Sequence, residues 1–147
     1  MSILTRFFTR TPKVPPLAPL EHSALGRLTW DEDAAGWLGR LSDKSGHLTL
    51  YLGSGSAQQH PAEQVAALLL EPVGLIDERD AAARRALLSA QLAHPTPMDL
   101  TLSAIETYQN YLSDQAYDLV YESRSVPDVL WRVNFVGSQV ASCGCDD

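Results

Sequence analysis

Leu25-Gly26-Arg27-Leu28-Thr29-Trp30-Asp31-Glu32-Asp33-Ala34-Ala35-Gly36-Trp37-Leu38-Gly39-Arg40-Leu41, continuing as Ser42-Asp43-Lys44-Ser45-Gly46-His47-Leu48-Thr49-Leu50-Tyr51-Leu52, contains three short apolar segments. Two turn-forming clusters separate them: Asp31-Glu32-Asp33 with Gly36, and Ser42 through Gly46. Acidic and glycine-bearing clusters between alternating segments are the local mark of consecutive hairpins. The stretch predicts a three-stranded antiparallel meander, with strands near 25–30, 36–41 and 47–52. It carries no catalytic chemistry.

Outward from the meander, Gly53-Ser54-Gly55-Ser56 and Gln58-Gln59-His60-Pro61 read as a loop. Pro61 suits the first position of a helix. Val65, Leu68 and Leu69 recur at helical spacing, so a helix is predicted over 61–71, stopped by Pro72 and Gly74. A second helix is predicted over 77–93. It opens on Asp77, Glu78 and Asp80, where the helix dipole favours negative charge, and His94-Pro95-Thr96-Pro97 ends it.

The last third returns to strand alternation. Leu100 to Ile105, Tyr117 to Glu122 and Val129 to Val136 alternate, the last with an aromatic and β-branched face. Gly137-Ser138 turns the chain into a short strand over 139–142. Residues 103–112 also fit a helix capped by Ser103 and Glu106. The strand is preferred because Thr101, Ile105, Thr107 and Tyr108 are weak helix formers. The expected fold is α+β: an N-terminal three-stranded antiparallel meander, two helices, and a C-terminal antiparallel meander. Residues 1–22 read as a Pro-rich N-terminal extension and 23–147 as a single domain.

At 147 residues the chain matches the length of one domain. No apolar run approaches the roughly 18 residues that span a bilayer. The N-terminal Met1 to Arg10 lacks the apolar core of a secretory signal, and a cytoplasmic location is expected. Ile3, Leu4, Phe7 and Phe8 either touch a membrane surface or, as preferred here, dock on the domain or a second subunit. The net charge is −7, and residues 23–147 alone hold eight basic and seventeen acidic groups. Such a body repels phosphate backbones, which argues against nucleic acid, and steers a basic protein partner toward itself. The oligomeric state is left open by the sequence.

Cys143-Gly144-Cys145 is the most conspicuous chemical motif. A zinc site needs four ligands, and His22, His47, His60 and His94 are isolated, so free thiols in a reducing cytosol are expected. Gly53 to Ser56 lacks the lysine of a phosphate-binding loop. Asp31, Glu32 and Asp33 lack the ligand pattern of a calcium loop. The histidines and serines show no triad spacing, so neither catalytic residues nor a cofactor are expected. Trp30, Trp37 and Trp131 are expected to fill the core, their indole N–H groups meeting carbonyls.

Leu25-Gly26-Arg27-Leu28-Thr29-Trp30-Asp31, Gly36-Trp37-Leu38-Gly39 and Leu48-x-Leu50 together resemble the opening of a bacterial family of uncharacterised domains. The resemblance covers residues 24–142 and implies three strands, two helices and a C-terminal meander. Some members of that family lie beside polymorphic toxins, which implies an immunity role. It carries over no catalytic residues. The leading expectation is therefore a non-enzymatic protein-binding domain, an immunity protein that neutralises a basic toxin. Its contacts would be Asp31, Glu32 and Asp33, then Asp77, Glu78 and Asp80, then Asp146 and Asp147. The rival is a small-molecule-binding or regulatory domain with a pocket between sheet and helices, lined by Tyr51, Tyr117 or Tyr121.

Overall fold

The computed structural model describes residues 17–43, 46–53, 63–111 and 113–147. The apolar N-terminal residues Ile3 to Phe8, most of the Gly-Ser loop, and His60 and Pro61 lie outside them. Four strands come first: β1 (Leu20–His22), β2 (Gly26–Asp31), β3 (Gly36–Asp43) and β4 (Gly46–Gly53). Two helices follow, α1 (Glu63–Gly74) and α2 (Ile76–Ser89). The chain then returns through β5 (Leu100–Tyr108), a single 3-10 turn (Gln109–Tyr111), β6 (Ala116–Ser123), β7 (Leu130–Val136) and β8 (Gln139–Asp146).

The α+β class and the local hairpins are as expected, but the two meanders are not separate. All eight strands form one continuous sheet in sequence order. Every neighbouring pair is antiparallel except β4 and β5, which run parallel from Thr49–Ala104 to Gly53–Tyr108. Parallel neighbours need a long crossover, and the two helices supply it. The first strand takes its residues from the end of the segment read as an extension. β2 is shared end to end: Gly26 to Leu28 pair with β1, and Thr29 to Asp31 pair with β3.

Of residues 103–112, Leu112 lies outside the described residues, and the rest are strand as far as Tyr108, followed by the 3-10 turn. Ile105 and Thr107 point into the core, and the strand bonds to neighbours on both sides, which outweighs the capping signal. Pro72 sits inside the end of α1 instead of stopping it. Only Leu75 separates the helices, its N–H donating to the Glu71 carbonyl and its own carbonyl accepting from Arg79. α2 stops at Ser89, short of the expected 93. The Ser89 hydroxyl donates to the carbonyls of Arg85 and Ala86, and Ala90 is already extended.

Period-2 alternation sends Leu50, Ile105, Leu119, Val133 and Cys143 to one face as register neighbours across five strands. The helices cover this face, α1 over β5 and β6 and α2 over β7 and β8. Ala66 and Leu69 of α1, with Ala83 and Leu87 of α2, complete the core. Trp37 and Trp131 are fully buried in it, and Trp30 packs edge-on against Trp37 with centroids 5.8 Å apart. Contrary to expectation, the Trp131 indole N–H meets no acceptor among the described residues. The ring is held by packing alone, between Tyr121 on β6 and Cys145 on β8. No described helix is long and apolar enough to cross a membrane. Trp131→Ala is expected to lower unfolding free energy by roughly 3–5 kcal/mol in chemical denaturation, the range for deleting a buried aromatic.

Candidate functional site

The opposite face of the sheet has no helix over it among the described residues, and its chemistry is unlike a solvated strand face. Register sets its rows. Leu38, Tyr51, Glu106, Asp118 and Asn134 are neighbours from β3 to β7. One step along the strands, Arg40, Thr49, Ala104, Val120 and Arg132 form a second row. In the other direction, Gly36, Gly53 and Tyr108 form the start of a third.

Three tyrosines from different places meet here, tilted or edge-on to one another. Tyr51 and Tyr108 have centroids 5.4 Å apart, and Tyr108 and Tyr111 5.1 Å apart. The floor beneath them is made of glycine. A Cβ on Gly36 would stand 2.5 Å from the Tyr51 ring, and one on Gly53 would stand 2.6 Å from the Tyr108 ring. This paired Gly36–Gly53 position lets both rings lie against the backbone, an approach only glycine permits.

Beside the rings is a charged network. Arg132 donates to Glu106 from one guanidinium nitrogen and to Asp146 from another, the latter at 2.8 Å. The Tyr108 hydroxyl also donates to Glu106, at 3.0 Å. Asp118 accepts from the Asn134 amide at 2.8 Å and from the Tyr111 hydroxyl at 3.4 Å. Two carboxylates, Glu106 and Asp146, therefore share one guanidinium, and Asp118 has no cation in contact among the described residues. Burial pushes the Asp118 carboxyl above its ordinary range, against the opposing hydrogen bond from Asn134 and the charge of Arg132. Burial and then the Glu106 charge raise the Tyr108 hydroxyl well above its usual value. Arg132 is raised too, because its bond and charge pairing with Glu106 outweigh its burial.

The predicted acidic residues divide between the two sides of the molecule. Asp31, Glu32 and Asp33 occupy the β2–β3 turn at the rim of the open face. The Asp31 carboxylate accepts the Ala34 N–H at 2.8 Å, and Ala35 adopts a left-handed φ of 50°. The Tyr51 hydroxyl donates to the Ala34 carbonyl at 2.7 Å, so the turn is pinned to the tyrosine cluster. Asp77, Glu78 and Asp80 lie on α2, in the helical layer. Asp77 is exposed, Glu78 bonds Arg79, and Asp80 is occupied inside the fold by Arg84 and by the Tyr121 hydroxyl at 2.8 Å. The Arg84 spacing at i+4 was a readable signal of that role. Asp146 joins the open-face network through Arg132, and Asp147 lies 3.3 Å from His94.

Tyr117 and Tyr121 are buried in the core, and Tyr51 is on the other face, so these three rings line no common pocket. Burial pushes the Tyr117 hydroxyl up to about 12. His22 caps a turn, its Nδ1 accepting from the Ala24 and Leu25 N–H groups. Cys143 and Cys145 are free thiols facing α2 from consecutive core-side positions of β8, with Cys143 3.8 Å from the Ala86 carbonyl. No cluster of metal-ligand type occurs among the described residues. Sequence reasoning missed Tyr108, Tyr111, Glu106, Asp118, Arg132 and Asn134. All but Tyr111, which lies in the 3-10 turn, alternate outward within their own strands, and only the pairing of distant strands gathers them.

Two outcomes are expected. The raised Asp118 value means its stabilising contribution is full below the unfolded carboxylate range and lost as pH climbs through the native value. Asp118→Asn should therefore gain stability relative to the parent chain as urea unfolding is repeated from pH 3.5 to pH 7. The double variant Cys143→Ser, Cys145→Ser should keep the parent melting temperature, and elemental analysis of both proteins should find no stoichiometric zinc.

Comparison with protein-family models, with curated proteins and with solved structures finds no match for this chain.

Proposed function

We propose that this chain is a non-enzymatic protein-binding domain that neutralises a basic partner on the open face of its sheet, as an immunity protein neutralises a toxin. The observation that carries this reading is the pairing of Glu106 and Asp146 with the guanidinium of Arg132, with Asp118 the register neighbour of Glu106 and the Tyr51–Tyr108–Tyr111 cluster as a wall. Tyrosine and arginine are the residues most enriched among binding hot spots. They offer wide amphipathic contact for few rotatable bonds. Here the rings are already fixed by glycine floors and by hydroxyl bonds to Ala34, Glu106 and Asp118, so little ordering remains to oppose association.

Charge favours a basic partner. A lysine or arginine arriving over Glu106 and Asp146 would offset the excess negative charge around Arg132. Asp31, Glu32 and Asp33, exposed or half-exposed at the rim, would act at longer range by steering the encounter. The toxin as partner comes from the Leu-Gly-x-Leu-x-Trp resemblance, while the location of the face comes from the geometry. Asp77 and Glu78, on the helical side, are not part of the proposed contact.

The test begins with partners captured from the native host and measures binding kinetics across a salt series. Reversing Asp31, Glu32 and Asp33 to lysine should slow association about tenfold at low salt, and the difference should shrink as salt screens exposed charge. Tyr108→Ala should instead accelerate dissociation and weaken binding by roughly 30-fold, the scale of a 2 kcal/mol hot spot. An association rate indifferent to the reversal would move the steering surface to Asp77 and Glu78 or to an apolar interface. A copurified small ligand and no protein partner would favour the regulatory reading.

A further inference from the structure

The part of the open face away from the tyrosines carries the opposite charge. β2 pairs with β3 only as far as Thr29–Leu38, and the preceding residues turn to β1 instead. Where β2 leaves β3 the surface opens into a concavity of about 460 Å³, lined by Arg27, Thr29, Leu38, Gly39, Arg40 and Thr49. That size lies within the roughly 300–1,000 Å³ of small-ligand sites. Among the described residues no carboxylate lines it, in a chain with 18 acidic and 11 basic residues.

Neither guanidinium is firmly engaged. Arg27 reaches Glu21 only at 3.9 Å, with both side chains largely exposed, a pairing of little strength. Arg40 has no ion-pair partner among the described residues. Two like charges facing one concavity from neighbouring strands repel each other, and a shared anion would remove that cost. Thr29 and Thr49 add hydroxyl donors, and half-buried Leu38 adds an apolar surface.

We propose that this concavity binds a small organic oxyanion, its carboxylate or phosphate held by Arg27 and Arg40 and its apolar body resting on Leu38. Planar guanidiniums bind both oxyanions through paired hydrogen bonds, so the two sources share one chemistry. The inference is independent of the protein-binding reading, since its residues lie outside the tyrosine and carboxylate cluster.

The test is amide NMR of the full chain titrated with inorganic phosphate, phenyl phosphate and benzoate, against sodium chloride at matched ionic strength. Shifts should concentrate at residues 27–29, 38–40 and 49, with phenyl phosphate binding at least tenfold more tightly than phosphate because its ring covers Leu38. Response to phenyl phosphate alone would assign a phosphorylated ligand, and response to benzoate alone a carboxylate. Arg40→Gln and Arg27→Gln should each weaken binding at least tenfold. Both side chains are exposed, so the variants should fold, as unchanged core amides would verify. The proposal fails if none of the probes moves these amides beyond the chloride control, or if affinity is unchanged in both variants.

Discussion

The parallel seam between β4 and β5 is the constraint on which the rest of the molecule depends. Thr49 to Gly53 bond alongside Ala104 to Tyr108, across more than fifty intervening residues. Remove that ladder and two antiparallel meanders remain, each with an exposed edge and half a core. With it, Leu50 and Ile105 become neighbours on the helix side while Tyr51 and Glu106 become neighbours on the other. The crossover helices are the geometric consequence, because a parallel return must pass over one face. Core and candidate site are thus two sides of one pairing.

That dependence explains what was legible in the sequence. Hairpin strands 26–31, 36–43 and 46–53 fall within a residue or two of expectation, because turn chemistry and alternation are local signals. So do the C-terminal strands apart from their ends. β8, expected over 139–142, runs to Asp146 because Cys143 and Cys145 alternate with Ser142 and Gly144 against β7. β1 was hidden by its three-residue length behind a proline-rich stretch. The seam itself has no local signature at all. Asp118 shows the cost of that blindness. Its alternation with Leu119 reads as an outward, solvated position, yet β6 is buried at all but one of its eight residues because it lies deep in a continuous sheet. The acidic turn Asp31–Asp33 was found by composition, but its attachment to Tyr51 was not.

The buried carboxylate is a local inconsistency of the kind that folding alone does not favour. A carboxylate shut away without a cation loses hydration that two neutral hydrogen bonds restore only in part. An apolar residue at position 118, flanked by Ala116 and Val120, would suit the packing better. Departures from the consistent choice are expected where a surface serves something other than stability. Some other carboxylates have close partners. Asp99, for example, holds the 123–126 turn through the Ser123 and Ser125 hydroxyls, and those bonds bring its carboxyl down to about 2.

Register gives the open face a firmness that surface charge rarely has. Side chains alternate with a period of two, so a one-residue slip at the seam would drive Glu106 into the core and Ile105 out of it. The apolar row Leu50–Ile105–Leu119–Val133 forbids that slip, and in doing so it holds Glu106 beside Asp118 and keeps Arg40 and Arg132 one step away. Arg132 is drawn diagonally onto Glu106, which leaves the carboxylates of the central strands in excess, while Arg27 is only loosely paired and Arg40 has no ion-pair partner among the described residues. The face is therefore bipolar across the sheet, acidic over β5 to β8 and basic beside β2 and β3. A partner that matched only the acidic end would set its own positive surface against Arg27 and Arg40. Full complementarity requires a basic patch over the tyrosines and an acidic group displaced toward β3, where Arg40 stands two strands from Glu106, roughly 10 Å across the sheet. Net charge alone, at −7, conveys only the first half of that requirement.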